Sequence, residues 1–170
     1  MIPHPYDLLP LNPKGAGLML TPCPGTRGVD PGAALAQLQT AGADALITLM
    51  PDAEMARNAV THIGELCAKI GWQWFHFPVE DDHAPEEAFA VAWSAHRSSV
   101  HQLLDAGKKI AIHCKGGSGR TGLIAAQILV ERGQSVDEAT AAIKAIRPNA
   151  LSLASHRDYL ARLPAPDPAG

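Results

Sequence analysis

Short apolar runs alternate along the chain with longer segments whose apolar residues recur at the spacing of one helical face. The runs Gly17–Leu20, Ala45–Leu49, Trp74–Phe77 and Lys109–His113 predict strands. Helices are predicted over Pro31–Ala41, Asp52–Ile70, Pro85–Ala106, Thr121–Arg132, Val136–Ile146 and Ser155–Leu163. Asp30 precedes Pro31 as an N-cap, and Gly42, Gly71, Gly107 and Gly133 stand where helices stop. Strands separated by helices need crossover connections, so the expected fold class is α/β: a single domain with a mostly parallel central sheet flanked by helices. Ligands of such sheets sit at the carboxyl ends of the strands.

The ends read differently from the middle. Pro3, Pro5, Pro10 and Pro13 remove amide donors and favour extended backbone, so residues 1–15 are expected to form an extended N-terminal arm, not a helix. Residues 16–163 then make the folded domain, and residues 164–170, PAPDPAG, a disordered tail. With 170 residues, 46% of them hydrophobic, one core is expected.

Charge and cysteine usage narrow the function classes. The net charge is −3 and the basic residues are scattered, so no face is suited to a nucleic-acid backbone. No apolar stretch approaches the roughly 20 residues of a membrane span, and no leader pattern opens the chain. A soluble, cytoplasmic protein without stable membrane association, acting as a monomer, is expected. Cys23, Cys67 and Cys114 form no disulfide framework, which suits a reducing compartment. The eight histidines show no metal-ligand spacing, and neither metal nor organic cofactor is expected.

Residues 108–122, KKIAIHCKGGSGRTG, combine a buried strand, a glycine-rich turn and the start of an amphipathic helix. Cys114 falls at the strand end and Arg120 at the helix mouth. Gly116, Gly117 and Gly119 let the backbone curl so that its N–H groups, with those of Lys115 and Ser118, line a socket for a tetrahedral dianion. A thiol in that positive field should be a thiolate at neutral pH. Arg120 offers the planar fork that grips two phosphate oxygens, and Lys115 adds charge without that geometry. A nucleotide P-loop would need Gly at Cys114 and Lys at Arg120, which excludes it. Transfer of a phosphoryl group to Cys114 also needs a proton donor for the leaving oxygen. The acidic cluster Glu80-Asp81-Asp82, bounded by Pro78 and Pro85, can supply it from Asp81 or Asp82.

His113-Cys114-x5-Arg120-Thr121 resembles the signature of the cysteine-dependent protein-tyrosine and dual-specificity phosphatases. Most of the chain is similar to the cyclin-dependent kinase inhibitor 3 (kinase-associated phosphatase) group and its bacterial relatives, through Gly17-Leu18, Pro24-Gly25, the loop Phe77–Pro85 and the segment Arg147-Pro148-Asn149-Ala150-Leu151. The resemblance implies Cys114 as nucleophile, Arg120 as phosphate clamp and Asp81 as general acid. It also implies a hydrogen bond from Thr121 to the Cys114 sulfur and a bracing role for His113. Ser152 and His156 stand near the places where that group has water-positioning glutamines. The activity implied is hydrolysis of phosphotyrosine, and of phosphoserine or phosphothreonine, in phosphoprotein substrates. Alternatives are a phosphoinositide phosphatase, an oxyanion enzyme of arsenate-reductase type using Cys23 or Cys67 as resolving thiol, and a non-catalytic phosphoprotein-binding module.

Overall fold

Apolar side chains on both faces of a strand demand cover on both sides, and the central strands have it. The computed structural model describes residues 3–164 and gathers all four predicted strands into one five-stranded sheet of order β1-β2-β5-β3-β4. These strands are β1 (Asp7–Pro10), β2 (Gly17–Thr21), β3 (Ala43–Thr48), β4 (Gln73–His76) and β5 (Lys109–His113). Strands β2, β5, β3 and β4 run parallel. Their side chains alternate between two cores: Leu18, Leu20, Ile47, Ile110 and Ile112 face one, Met19, Leu46 and Ala111 the other. The first core packs against α4 (Glu87–Asp105), α5 (Gly119–Glu131), α6 (Val136–Ile146) and α7 (Ala154–Ala161). The second is covered by α1 (Pro31–Thr40), α2 (Asp52–Arg57) and α3 (Ile63–Lys69). No helix among the described residues is long and apolar enough to cross a membrane.

Cap chemistry sets the helix ends, at Asp30 and the four glycines as read from the sequence and at Ser135 in addition. Asp30 accepts from the Ala33 N–H at 3.0 Å, and Ser135 with Glu138 closes a capping box on α6. Gly42, Gly71, Gly107 and Gly133 all take positive φ just past helices.

Two expectations need correction. The N-terminal arm contributes β1, which pairs antiparallel with β2 from Asp7↔Leu20 to Pro10↔Gly17 and makes the sheet edge. An edge strand leaves one side of its ladder free, so Pro10 is tolerated, and only Leu8-Leu9 was left as an apolar signal. The second correction splits the helix expected over Asp52–Ile70. Ala59 lies in the left-handed region at φ 57°, and the Val60 N–H turns back to the Met55 carbonyl at 3.0 Å. The break frees α2 to aim independently of α3. The predicted tail, 164–170, lies outside the described residues but for Pro164.

Candidate active site

β5 is the middle strand, and the chain leaves it at Cys114 in the turn that leads into α5. Gly117 sits in that turn at φ +79°, where a Cβ would lie 2.7 Å from the Pro22 nitrogen, so only glycine fits. Gly116 and Gly119 meet no such constraint. Gly117 therefore shapes the loop and donates its N–H to the Cys114 Sγ at 3.3 Å; it does not line the cleft. Thr121 donates its hydroxyl to the same sulfur at 3.1 Å. Among the described residues, the N–H groups of Lys115, Gly116, Ser118 and Gly119 have no protein acceptor, which leaves donors for an anion at the mouth of α5.

Arg120 is 3% exposed and fully engaged on its outer side. Glu54 of α2 takes both of its terminal nitrogens, at 2.8 and 2.7 Å, and the Val79 carbonyl accepts a further bond at 2.8 Å. Asp81 Oδ1 lies 3.5 Å away. Burial opposes the charge on Arg120, but the bonds to Glu54 and the charges of Cys114, Glu54 and Asp81 outweigh it and hold its pKa above the ordinary arginine value. The guanidinium is thus locked, charged, beside the thiol.

His113 braces the loop from below. Its Nδ1 faces the Cys114 carbonyl at 2.9 Å and its Nε2 the Thr48 hydroxyl at 2.8 Å, while Trp74 Nε1 donates to that hydroxyl at 2.8 Å. Burial pushes the imidazole down to about 4, against the opposing bond to Cys114, so the ring is neutral at pH 7. Neutral, it donates from Nδ1 to the carbonyl and accepts at Nε2 from Thr48.

Cys114 and Arg120 open on a cleft of about 380 Å³ that Lys115, Gly116, Ser118 and Gly119 also line. Asp81 and Asp82 reach it from the β4–α4 loop, and Thr26 and Arg27 from the β2–α1 loop. Residues 27–134 match the family described as Tc-R-P, polymorphic toxin system, DSP-PTPase phosphatase. The chain belongs to this family. A segment of 89 residues, 49% of the chain, is 34% identical to the phosphatidylinositol 3,4,5-trisphosphate 3-phosphatase and protein-tyrosine-phosphatase PTEN1 of Arabidopsis thaliana. The chain spans only 21% and 36% of the lengths of the two curated relatives it matches. Its fold is that of the crystal structure of kinase associated phosphatase with serine in place of the catalytic-site cysteine: TM-score 0.78, 20% identity, covering 94% of this chain and 93% of that one. The G95A form of Tk-PTP gives a TM-score of 0.70 at 23% identity, covering 92% and 93%.

Three residues of the site lie outside the His-Cys-x5-Arg-Thr motif: Glu54, Arg147 and Arg27. Nothing local marks Glu54. Arg120 itself is the signal, because a buried guanidinium requires a carboxylate, and α2 follows β3, the neighbour of β5. Arg147 donates to the Gly117 carbonyl at 2.9 Å and the Leu20 carbonyl at 3.0 Å, and it pairs with Asp7 of β1. It thereby ties the edge strand to the loop around Cys114. Arg27 is exposed on a glycine-flanked turn, where composition alone does not distinguish it from any surface cation.

The expected places of Ser152 and His156 prove different from each other. Ser152 is exposed and donates to the Asn149 carbonyl at 2.6 Å. His156 is 1% exposed on α7, and its Nε2 contacts the His83 carbonyl at 2.8 Å. His83 in turn contacts the Asp81 carbonyl through Nδ1 at 2.7 Å. His156 is absent from the cleft lining and holds the acidic loop instead of facing a water site. Asp82 adopts φ 60°, a conformation Asp tolerates, and turns that loop over the cleft. Cys23 and Cys67 are fully buried, and burial pushes both thiols up to about 12.

Proposed function

We propose that this DSP-PTPase hydrolyses phosphotyrosine, and phosphoserine or phosphothreonine, in phosphoproteins through a phosphocysteine at Cys114. The observation that carries the reading is the convergence on one sulfur: Thr121 Oγ1 and the Gly117 N–H at 3.1 and 3.3 Å, with Arg120 fixed alongside and Asp81 3.5 Å from the guanidinium. The Cys114 thiolate attacks phosphorus, and the bond to the ester oxygen breaks as Asp81 delivers its proton to that oxygen. Asp81, now a carboxylate, takes a proton from water as that water displaces sulfur from phosphorus. Inorganic phosphate leaves and the thiolate returns, stabilised by Thr121. Arg120 and the free N–H groups of the loop hold the equatorial oxygens, whose charge grows in the transition state.

A resolving-thiol reaction draws no support from Cys23 or Cys67, because a buried thiol that stays protonated does not attack. The three free cysteines suit the cytoplasm, where we place the protein as a monomer.

Cys114→Ser is expected to abolish release of phosphate from an aryl phosphate while still binding vanadate, since the loop donors and Arg120 remain. Asp81→Ala should lower kcat by about 10²–10⁴. Residual turnover by Cys114→Ser above the uncatalysed rate would remove the nucleophile. A wild-type chain that binds phosphopeptide without releasing phosphate would make the protein a binding module.

A further inference from the structure

The cleft carries two cations that the hydrolysis does not use, on the side away from its acid. In the order β1-β2-β5-β3-β4, the loop after β2 and the loop after β4 flank the Cys114 turn from opposite sides. The β4 side brings Asp81 and Asp82 to the cleft, and the β2 side brings Arg27, which lines it together with Lys115 of the turn itself. The two cations sit on segments that are bonded together. The Cys23 N–H donates to the Lys115 carbonyl at 2.9 Å, and Thr26 closes on the Cys23 carbonyl through its N–H at 3.2 Å and its hydroxyl at 2.7 Å. Arg120 is already paired with Glu54, whereas Arg27 and Lys115 are exposed and have no ion-pair or side-chain hydrogen-bond partner among the described residues. Two unpaired cations at the rim of a phosphate cleft raise the positive potential on that side and favour a second anion there.

We propose that Arg27 and Lys115 form a second anion subsite, and that the preferred substrates are phosphopeptides with an acidic or second phosphorylated residue beside the one hydrolysed. This rests on the phosphatase reading above. A ring bearing phosphates all round would press some of them against Asp81 and Asp82, whereas a peptide with its extra anion on one side matches a cleft positive on one side only. An inositol polyphosphate is therefore the disfavoured substrate.

The test is kcat/KM of the full chain at low salt on phosphotyrosine peptides that differ in one flanking residue: alanine, aspartate or phosphoserine. A chromogenic aryl phosphate and a soluble inositol polyphosphate serve as references. Wild type is expected to favour the anionic flanks by roughly fivefold to tenfold, phosphoserine most, with the gain shrinking as salt rises. Arg27→Glu should erase that gain, and the double change with Lys115→Glu should favour a lysine flank. Because Arg27 is exposed on a loop, an unaltered melting curve will show that these variants fold. Equal values for the three peptides, or a preference that survives both substitutions, would overturn the subsite. Faster wild-type turnover of the inositol polyphosphate than of the doubly phosphorylated peptide would overturn the substrate class. No phosphate release from any ester removes the phosphatase reading and this inference with it, while turnover without flank preference removes the inference alone.

Discussion

The two ends of α5 each gather a carboxylate and its donors, roughly 17 Å apart along the helix, and they do opposite things. At the N-terminal end Glu54 grips Arg120, but the cluster stays open to the cleft, with Asp81 at 3.5 Å. At the C-terminal end Glu131 is saturated: Trp93 Nε1 at 2.8 Å, Arg97 at 2.9 and 3.2 Å, His101 Nε2 at 2.9 Å and Gln127 at 3.0 Å. Tyr159 of α7 joins through Gln127 at 2.7 Å. Burial and the helix dipole both disfavour a carboxylate there, yet these bonds hold Glu131 down at about 2. One cluster aims a charge at a reaction; the other welds α4, α5 and α7.

The sharpest way to break the comparison is Glu54→Ala. Removing one partner of a buried pair leaves Arg120 uncompensated, which costs about 3–5 kcal/mol of stability, and a guanidinium free to shift loses about 100-fold in kcat/KM. Urea melts and aryl-phosphate kinetics should both move. Glu131→Ala should cost about 3 kcal/mol in the same melts and leave kcat of the folded enzyme within about twofold. A kinetic loss at unchanged stability would show that the far end of α5 also tunes the chemistry.

Acid should separate the ends in two stages. His113 falls from 6.5 to about 4 on folding, so between those values the unfolded chain binds more protons and stability drops as pH falls, by up to about 3 kcal/mol. His4, also lowered by burial, adds to this stage. Glu131 falls from 4.5 to about 2, so its contribution is intact above 4.5 and disappears as pH drops through 2. Urea midpoints against pH should lose part of the upper stage in His113→Gln and the lower stage in Glu131→Gln.

The N-terminal end of α5 was legible in the sequence and the C-terminal end was not, for a physical reason. Cys114, Arg120 and Thr121 lie within one turn and one helix start, where spacing along the chain equals spacing in space. Glu131 meets Trp93 and Arg97 across 38 and 34 residues, and Glu54 meets Arg120 across 66. Such pairs follow from the strand order, which local periodicity does not encode. The strand runs exposed four of the five strands because β2 to β5 are apolar on buried faces. β1 escaped because half of an edge strand faces water, with Leu8 41% exposed.

The smallest expected effect lies between the two ends, at His156 of α7. Its ring contacts the His83 carbonyl at 2.8 Å and so connects the helix cluster to the loop that carries Asp81. His156 does not line the cleft, so it acts by positioning. His156→Ala removes the donor to the His83 carbonyl, worth about 1 kcal/mol, or roughly fivefold in kcat as the loop loosens. The loss should depend on the leaving group. An aryl ester whose phenol departs easily needs little proton transfer and should be almost unaffected, whereas a poor leaving group depends on Asp81 and should show the full drop. His156→Gln keeps a donor near that carbonyl and should restore most of the rate. An equal loss on good and poor leaving groups, unrescued by Gln, would mean that His156 supports the fold of α7 and not the placement of the acid.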